Sequence, residues 1–289
     1  DEPVVALALG VLIAGFAQLL FQVPALAGIG LVPRPRWAPR HEGVRRIMVL
    51  MVPALFGVSV SQINLLLDTV LASLLPTGSV SWLYYSDRLT ELPLGVFAIA
   101  IATVILPTLS GQRSRADHPA FAGTLGWAIR SVLLIAIPAT LALVVLAEPL
   151  LATLFQYGAF SGDDRAMAAA SLRAYTLGLG AFMLVKVLAP GFYAREDMRT
   201  PVRIGIIAMV VNMALNVAFV FPLMWWLNLG HVGLALATSV SAWLNALLLF
   251  RGLRRDAVLP QDGLPVKWLV QVGAATAAMV SALLWLMPD

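Results

Sequence analysis

The sequence contains no cysteine and few charged residues, and both shortages limit what the chain can be. The lack of cysteine excludes disulfides and thiolate metal sites. Charged residues make up 12% of the 289 positions, whereas a soluble domain usually carries about 25%. Hydrophobic residues make up 60%, and the mean hydropathy is +0.89. A water-soluble protein of this length cannot bury so much apolar surface, so the sequence predicts a protein that lies in lipid.

The motifs of common enzyme classes are also missing. The sequence has no HExxH, no GxSxG, no Gly-rich phosphate loop after a strand and no acidic metal pair. The three histidines, His41, His118 and His231, are scattered in or beside loops. We therefore predict that the chain is not an enzyme and has no catalytic residue and no metal centre.

The long apolar runs predict an all-α fold, a polytopic bundle of about eight transmembrane helices. Each run reaches the roughly 20 residues that cross a bilayer, and backbone groups in lipid must bond within their own segment, as they do in a helix. The predicted spans are residues 4–21, 47–75, 80–109, 121–146, 166–188, 202–221, 232–250 and 267–287.

The basic residues predict the orientation of these spans. Most of the 19 Lys and Arg residues lie in every second connection, around residues 22–46, 110–120, 195–203 and 251–267. The positive-inside rule makes these connections cytoplasmic, so both ends of the chain are predicted to lie outside. This placement accounts for the pI near 9.8 without any nucleic-acid partner. Residues 23–46 are predicted to form a basic linker along the inner membrane surface. Because the chain opens without Met and runs straight into an apolar segment, we expect a piece of a longer membrane protein.

A cluster of charges stands out in the third predicted span. Asp87, Arg88 and Glu91 are spaced so that all three can share one helical face. Three charges facing lipid are implausible, so they face a water-filled cavity or another helix. Arg88 brings a planar fork of donors that matches phosphate oxygens in pairs. From this pattern alone, anion binding and a structural ion pair are equally good interpretations.

A carboxyl group and several neutral polar side chains form a second candidate site. They are Ser61, Asn64 and Asp68 in the second predicted span, Asn212 and Asn216 in the sixth, and Thr238 in the seventh. Oxygen ligands from separate helices around the Asp68 carboxylate suit a hard cation. Hydrogen bonding between helices is the alternative, and it is the commoner use of such residues. Arg173, in the fifth span, either faces a cavity or forms a structural pair.

Four motifs resemble those of a known family, in the same order along the chain. They are GVSVSQIN at residues 57–64, GSVSWLYYSDRL at 78–89, LFQYG at 154–158 and VLAPGFYAR at 187–195. Together they resemble the MurJ (MviN) family of lipid II flippases, which belongs to the multidrug/oligosaccharidyl-lipid/polysaccharide exporter superfamily. The family has two six-helix lobes around a central cavity, followed by two extra helices.

The resemblance implies a division of the chain and a function. Residues 1–22 would be the last helix of the N-lobe, residues 23–46 the linker, residues 47–250 the C-lobe, and residues 251–289 a cytoplasmic loop with the first extra helix. The rest of the N-lobe would be the missing partner. The implied function is movement of lipid II from the inner to the outer leaflet of the bacterial inner membrane. Polysaccharide or drug/cation export within the superfamily, or a membrane scaffold, are the alternatives.

The resemblance also implies roles for residues. Arg88 matches the family arginine that is implicated in binding the lipid-linked diphosphate, with Asp87 and Glu91 beside it; Arg173 is a further candidate for substrate contact. Cation coupling is common in the superfamily. Sodium is therefore the ion expected at a site of Asp68, Asn212, Asn216 and Thr238, and no other cofactor is expected. Membrane lipids and lipid II are the expected partners.

Overall fold

The structure is a computed structural model that describes residues 2–30, 38, 41–259, 263 and 265–286. These residues form helices and connections, and no strand occurs among them. The α-helices are α1 (Glu2–Gly28), α2 (Glu42–Ser73), α3 (Ser79–Pro93), α4 (Ala100–Ser114), α5 (His118–Val145), α6 (Ala147–Phe155), α7 (Gly162–Tyr193), α8 (Arg199–Leu227), α9 (Gly230–Arg255) and α10 (Val266–Leu286). A π-helical segment, Leu94–Ile99, joins α3 to α4.

Within the described residues, seven helical segments are long and apolar enough to cross a membrane. They are Ala8–Gly28, Ser79–Ser114, His118–Val145, Gly162–Tyr193, Arg199–Leu227, Gly230–Arg255 and Val266–Leu286. The remaining predicted span, residues 47–75, corresponds to α2. This helix is not among the seven, and several of its side chains lie outside the described set. The predicted all-α transmembrane fold is confirmed.

The chain divides into two compact units, Asp1–Val49 and Leu50–Asp289. The first unit contains α1 and the start of α2. Both helices extend into the stretch predicted as a linker, since α1 continues to Gly28 and α2 begins at Glu42. The predicted course of the linker along the membrane falls largely on residues 31–37, 39 and 40, which lie outside the described residues.

Helix α7 is the centre of the second unit and packs against α3, α4, α5 and α9. It is the most buried of the apolar helices because small side chains cover much of its surface. Leu179, Met183 and Phe192 fill its contacts with α5 and α9. Helix α8 packs on the other side of α9, and α10 packs on α5.

The closest approach of α7 and α9 occurs at Gly178. A Cβ atom at this position would lie 2.8 Å from the Ser239 Cα atom, so only glycine fits. Ser239 Oγ donates a hydrogen bond to the Ala174 carbonyl at 2.8 Å, and Trp243 Nε1 donates to the Leu177 carbonyl at 2.8 Å. Small residues and polar contacts of this kind hold helices together where the surrounding lipid offers no hydrophobic driving force.

Two local features differ from the sequence-based expectation. The third span is predicted as one run, but it changes from α to π geometry at Leu94–Ile99, directly after Pro93. Residues 147–165 are predicted as a loop, but they include α6. This helix is amphipathic and too short to span a bilayer, so a search for long apolar runs does not detect it.

We expect Gly178→Ala to destabilise the protein by about 1 to 3 kcal/mol, because the added methyl group forces α7 and α9 apart. Gly205→Ala on α8 is the matched control, since a Cβ there meets nothing within 4 Å. This control should not lose stability, because alanine favours a helix more than glycine does. Thermal unfolding of both variants in detergent tests the difference, and equal melting temperatures would contradict the close approach.

Candidate functional site

Helix α3 carries the charged site on one face. Tyr84, Arg88 and Glu91 share that face because residues three and four apart lie on the same side of a helix. Arg88 Nη1 donates to Glu91 Oε2, and the Arg88 Cζ atom lies 4.9 Å from the centre of the Tyr84 ring. The side chains of Arg88 and Glu91 are 50% and 48% exposed. The guanidinium group is therefore held by two neighbours while it stays accessible to a ligand.

The first turns of α3 are fixed against α7. Trp82 Nε1 donates to Asp164 Oδ1 at 2.8 Å, and Ser86 Oγ donates to the Ala168 carbonyl at 2.7 Å. Asp164 also forms a capping box with Ser161 at the start of α7, which holds its carboxylate in place. These contacts set the rotation of α3 about its axis and therefore the direction in which Arg88 points.

Asp87 is separated from the pair that it was predicted to join. Its side chain is half-buried rather than exposed. In the described part of the chain it forms no hydrogen bond or ion pair within 4 Å, although it interacts electrostatically with Arg88, Glu91 and Tyr175 of α7. One residue along a helix is a rotation of about 100°, so Asp87 turns toward the bundle while Arg88 turns away from it.

The second candidate site is a continuous chain of polar side chains across three helices. Asn216 Nδ2 donates to Asp68 Oδ1 at 2.7 Å and to Asn212 Oδ1 at 3.2 Å. Asn212 Nδ2 in turn lies 3.4 Å from Thr238 Oγ1 and 3.3 Å from Ser241 Oγ. All four residues predicted from the sequence are therefore brought together. The Ser61 side chain, part of the predicted stripe on α2, lies outside the described set.

Two oxygen atoms in this polar chain are left over. Asn64 Nδ2 donates to Asp68 Oδ2 at 3.2 Å, but Asn64 Oδ1 is buried and has no hydrogen-bond partner among the described residues. Asn216 Oδ1 is likewise buried and has no hydrogen-bond partner among the described residues. A buried amide oxygen without a partner is costly in an apolar interior, and a carboxylate with amide and hydroxyl oxygens is the donor set that a hard cation uses.

Comparison with known proteins identifies the family. The family profile for the lipid II flippase MurJ matches residues 1–289. The chain belongs to the MurJ lipid II flippase family. A Vibrio cholerae protein named as a probable lipid II flippase MurJ is 53% identical over 285 residues, which cover 99% of this chain and 53% of that protein. The lipid II flippase MurJ of Burkholderia cenocepacia is 42% identical over 98% of this chain and 54% of its own length.

Solved structures agree with the MurJ assignment. A lipid II flippase MurJ in an inward closed conformation matches with a TM-score of 0.71 and 26% identity, over 90% of this chain and 53% of that one. An outward-facing multidrug resistance MATE transporter of the MOP superfamily matches with a TM-score of 0.58 at 18% identity, which indicates a shared fold. The chain spans about half the length of the curated relatives that it matches.

Within this MurJ framework, Arg173 has a different surrounding from Arg88. Its Nη2 atom donates to Glu148 Oε1 of α6 at 3.0 Å, and its Nε atom lies 3.4 Å from the Val144 carbonyl at the end of α5. Among the described residues it has no polar contact with the Arg88 cluster. The contacts of Arg173 bridge the end of α5 and the start of α6 and favour the structural pair, although its side chain is 43% exposed, close to the 50% of Arg88.

The sodium site predicted from the sequence leaves out two residues of the polar chain, Asn64 and Ser241. Asn64 belongs to the predicted α2 stripe, and it bonds Asp68 through the i, i+4 spacing of the helix. Ser241 follows Thr238 by three residues, so the same spacing argument identifies it as a neighbour of that hydroxyl. Glu148 was missed because α6 was predicted as a loop.

Replacing a side chain with alanine should change protein stability differently at the two sites. We expect Asn212→Ala to lower stability by about 1 to 3 kcal/mol, since it leaves buried partners of the polar chain without hydrogen bonds. Arg88→Ala should change stability by about 1 kcal/mol or less, because half-exposed ion pairs contribute little. Thermal unfolding of the two variants in parallel measures the difference. A larger loss for Arg88→Ala would mean that its ion pair is structural.

Proposed function

We propose that this chain forms the C-terminal lobe of a lipid II flippase and contributes Arg88 as a contact for the substrate diphosphate. The full protein would move lipid II from the inner to the outer leaflet of the bacterial inner membrane by alternating access. The half-exposed Arg88, which pairs with Glu91 on an accessible face of α3, is the observation that carries the proposal. Transport of this kind breaks no covalent bond.

The chemistry of Arg88 favours an anionic substrate. A guanidinium group offers paired, charge-assisted hydrogen bonds to phosphate oxygens, which are stronger than neutral ones. A transporter of cationic drugs would place an uncompensated carboxylate at this position instead. Glu91 accepts a hydrogen bond from one Nη donor of Arg88, and the other donors of the half-exposed guanidinium group remain available to a ligand.

The proposed topology follows the positive-inside rule. The basic connections after α4, α7 and α9 would lie in the cytoplasm, which puts both ends of the chain in the periplasm. We also retain the proposed division of the chain, with residues 1–22 ending the N-lobe, residues 23–46 forming the linker, residues 47–250 forming the C-lobe, and residues 251–289 adding one further helix.

The direct test is lipid II translocation by a full-length protein that contains residues 1–289. Arg88→Ala should abolish translocation while the protein remains folded and inserted. Arg88→Lys should also be badly impaired, because a single ammonium group cannot reproduce the planar fork.

Arg113→Ala is the matched control, since it removes an exposed arginine from the other end of the same span. This variant should translocate normally. If Arg88→Ala were well folded and translocated at the rate of the unsubstituted protein, the diphosphate role would be eliminated.

A second proposal concerns the polar chain, and two buried amide oxygens without hydrogen-bond partners among the described residues support it. We infer that Asp68, Asn212, Asn216 and Thr238 hold a monovalent cation, with sodium as the expected ion. Asp68 supplies the one negative charge. The Asn64 and Asn216 amide oxygens are buried without a hydrogen-bond partner among the described residues, so they are available as cation ligands. Because only one carboxylate is present, the affinity should be modest.

Sodium should therefore raise the thermal stability of the full-length protein relative to choline at equal ionic strength, since a ligand that binds only the folded state stabilises it. Asp68→Asn should remove this effect by removing the charge. Asp163→Asn, at the exposed start of α7, is the control and should keep the sodium response. Identical melting curves in sodium and choline for the unsubstituted protein would rule out the cation site.

A further inference from the structure

We propose that Tyr84 is a positioning residue for Arg88, which keeps the guanidinium group in place when the substrate diphosphate displaces Glu91. This inference rests on the proposed function, because it concerns the same diphosphate contact. It adds a residue to which neither the sequence motifs nor the comparisons assign a role. Tyr84 would not bind the phosphates itself, and it would act through Arg88.

The guanidinium group of Arg88 lies over the Tyr84 ring. The Arg88 Cζ atom lies 4.9 Å from the ring centre, within the distance of about 6 Å at which a cation and an aromatic face attract each other. Glu91 instead meets the Nη1 atom of the same group through a hydrogen bond. The two neighbours therefore hold Arg88 through different parts of the guanidinium group.

Substrate binding should affect the two neighbours of Arg88 differently. Phosphate oxygens need the N–H donors of Arg88, one of which Glu91 occupies, so Glu91 and the substrate compete. The contact with the Tyr84 ring is separate from the hydrogen bond to Glu91, so it can persist while the N–H donors of Arg88 turn to phosphate. Without Tyr84, the long and half-exposed arginine side chain would be less restrained once Glu91 is displaced, and ordering it would cost conformational entropy on binding.

Tyr84 is itself held by an aromatic cluster made of Tyr85, Phe155 and Phe160. Tyr85 lies with its ring centre 4.6 Å from that of Phe155 and 5.4 Å from that of Phe160. Tyr84 meets Tyr85 edge to face, with 5.8 Å between the ring centres. Such pairs add to stability beyond the area that they bury. A row of rings thus runs from the connection between α6 and α7 to the guanidinium group.

The ring alone, rather than the phenol, carries this role. Tyr84 is 55% exposed, and no hydrogen bond of its hydroxyl group occurs among the described residues. Phenylalanine therefore preserves the contact, whereas leucine and methionine fill a similar volume without an aromatic face. This set of substitutions separates positioning from packing.

The experiment measures the affinity of the full-length protein for undecaprenyl diphosphate. Tyr84→Leu and Tyr84→Met should each weaken binding by about 3- to 30-fold, because the substrate must then order a mobile arginine side chain, whose conformational entropy is of this size. Tyr84→Phe should bind within about 2-fold of the unsubstituted protein. Thermal unfolding of the same variants should show little change, since the side chain is half-exposed.

A double-mutant cycle then distinguishes positioning from a general structural role. If Tyr84 acts through Arg88, the Arg88→Ala variant and the Arg88→Ala, Tyr84→Leu variant should bind equally weakly. Additive losses, or unchanged affinity in Tyr84→Leu and Tyr84→Met, would overturn the inference and leave the role of Arg88 intact. Unchanged affinity in Arg88→Ala would instead remove the proposed function, and the inference with it.

Discussion

The polar chain from Asp68 to Ser241 is the constraint on which the arrangement of α2, α8 and α9 depends. In lipid, a polar group has no water to bond, so it must find a partner inside the protein. Asn212 and Asn216 are each only 1% exposed, and their side-chain amides reach the other two helices. One hydrogen bond, from Asn216 to Asp68, joins α8 to α2, and two longer ones, from Asn212 to Thr238 and Ser241, join α8 to α9. These bonds fix which faces of the helices meet, while apolar packing holds α8 against α9.

Polar contacts serve two different purposes in this bundle. The contacts of Ser239 and Trp243 with carbonyl groups of α7 are short and fix the helix pair. The Arg88–Glu91 pair is half-exposed, so water or a ligand can replace either partner at little cost. The proposed role of Arg88 in substrate binding and release fits the second kind, because a half-exposed ion pair opens more easily than a buried polar contact.

Much of the fold follows from the sequence because the signal is strong. Runs of about 20 apolar residues have one solution in lipid, and seven of the predicted spans correspond to apolar helices of the described chain. Helix α6 and the π-helical segment could not be predicted in this way. The first is too short for a span signal, and the second depends on how residues after Pro93 pack against α5 and α7.

Each candidate site also has a part that the sequence predicts and a part that only the fold brings together. The spacing of Asn212 and Asn216 within one helix predicts a shared face, and this part of the polar chain is local. The bond from Asn216 to Asp68 joins residues 148 positions apart, and only the fold brings them together. Asp87 shows the limit of spacing arguments. Its spacing of four residues from Glu91 suggests a face shared with Arg88 and Glu91, whereas the contacts of Trp82 and Ser86 with α7 rotate α3 so that Asp87 turns inward.

Charge balance limits what Arg88 and Glu91 can do for the proposed substrate. Each phosphoryl group of the proposed diphosphate is negatively charged, whereas Arg88 brings one positive charge that Glu91 largely offsets. A single guanidinium group can therefore orient the diphosphate through its paired donors, but it cannot neutralise it. The relatives are about twice as long as this chain. A contact that orients more than it neutralises suits the proposed transport, because weak net attraction allows a substrate to leave.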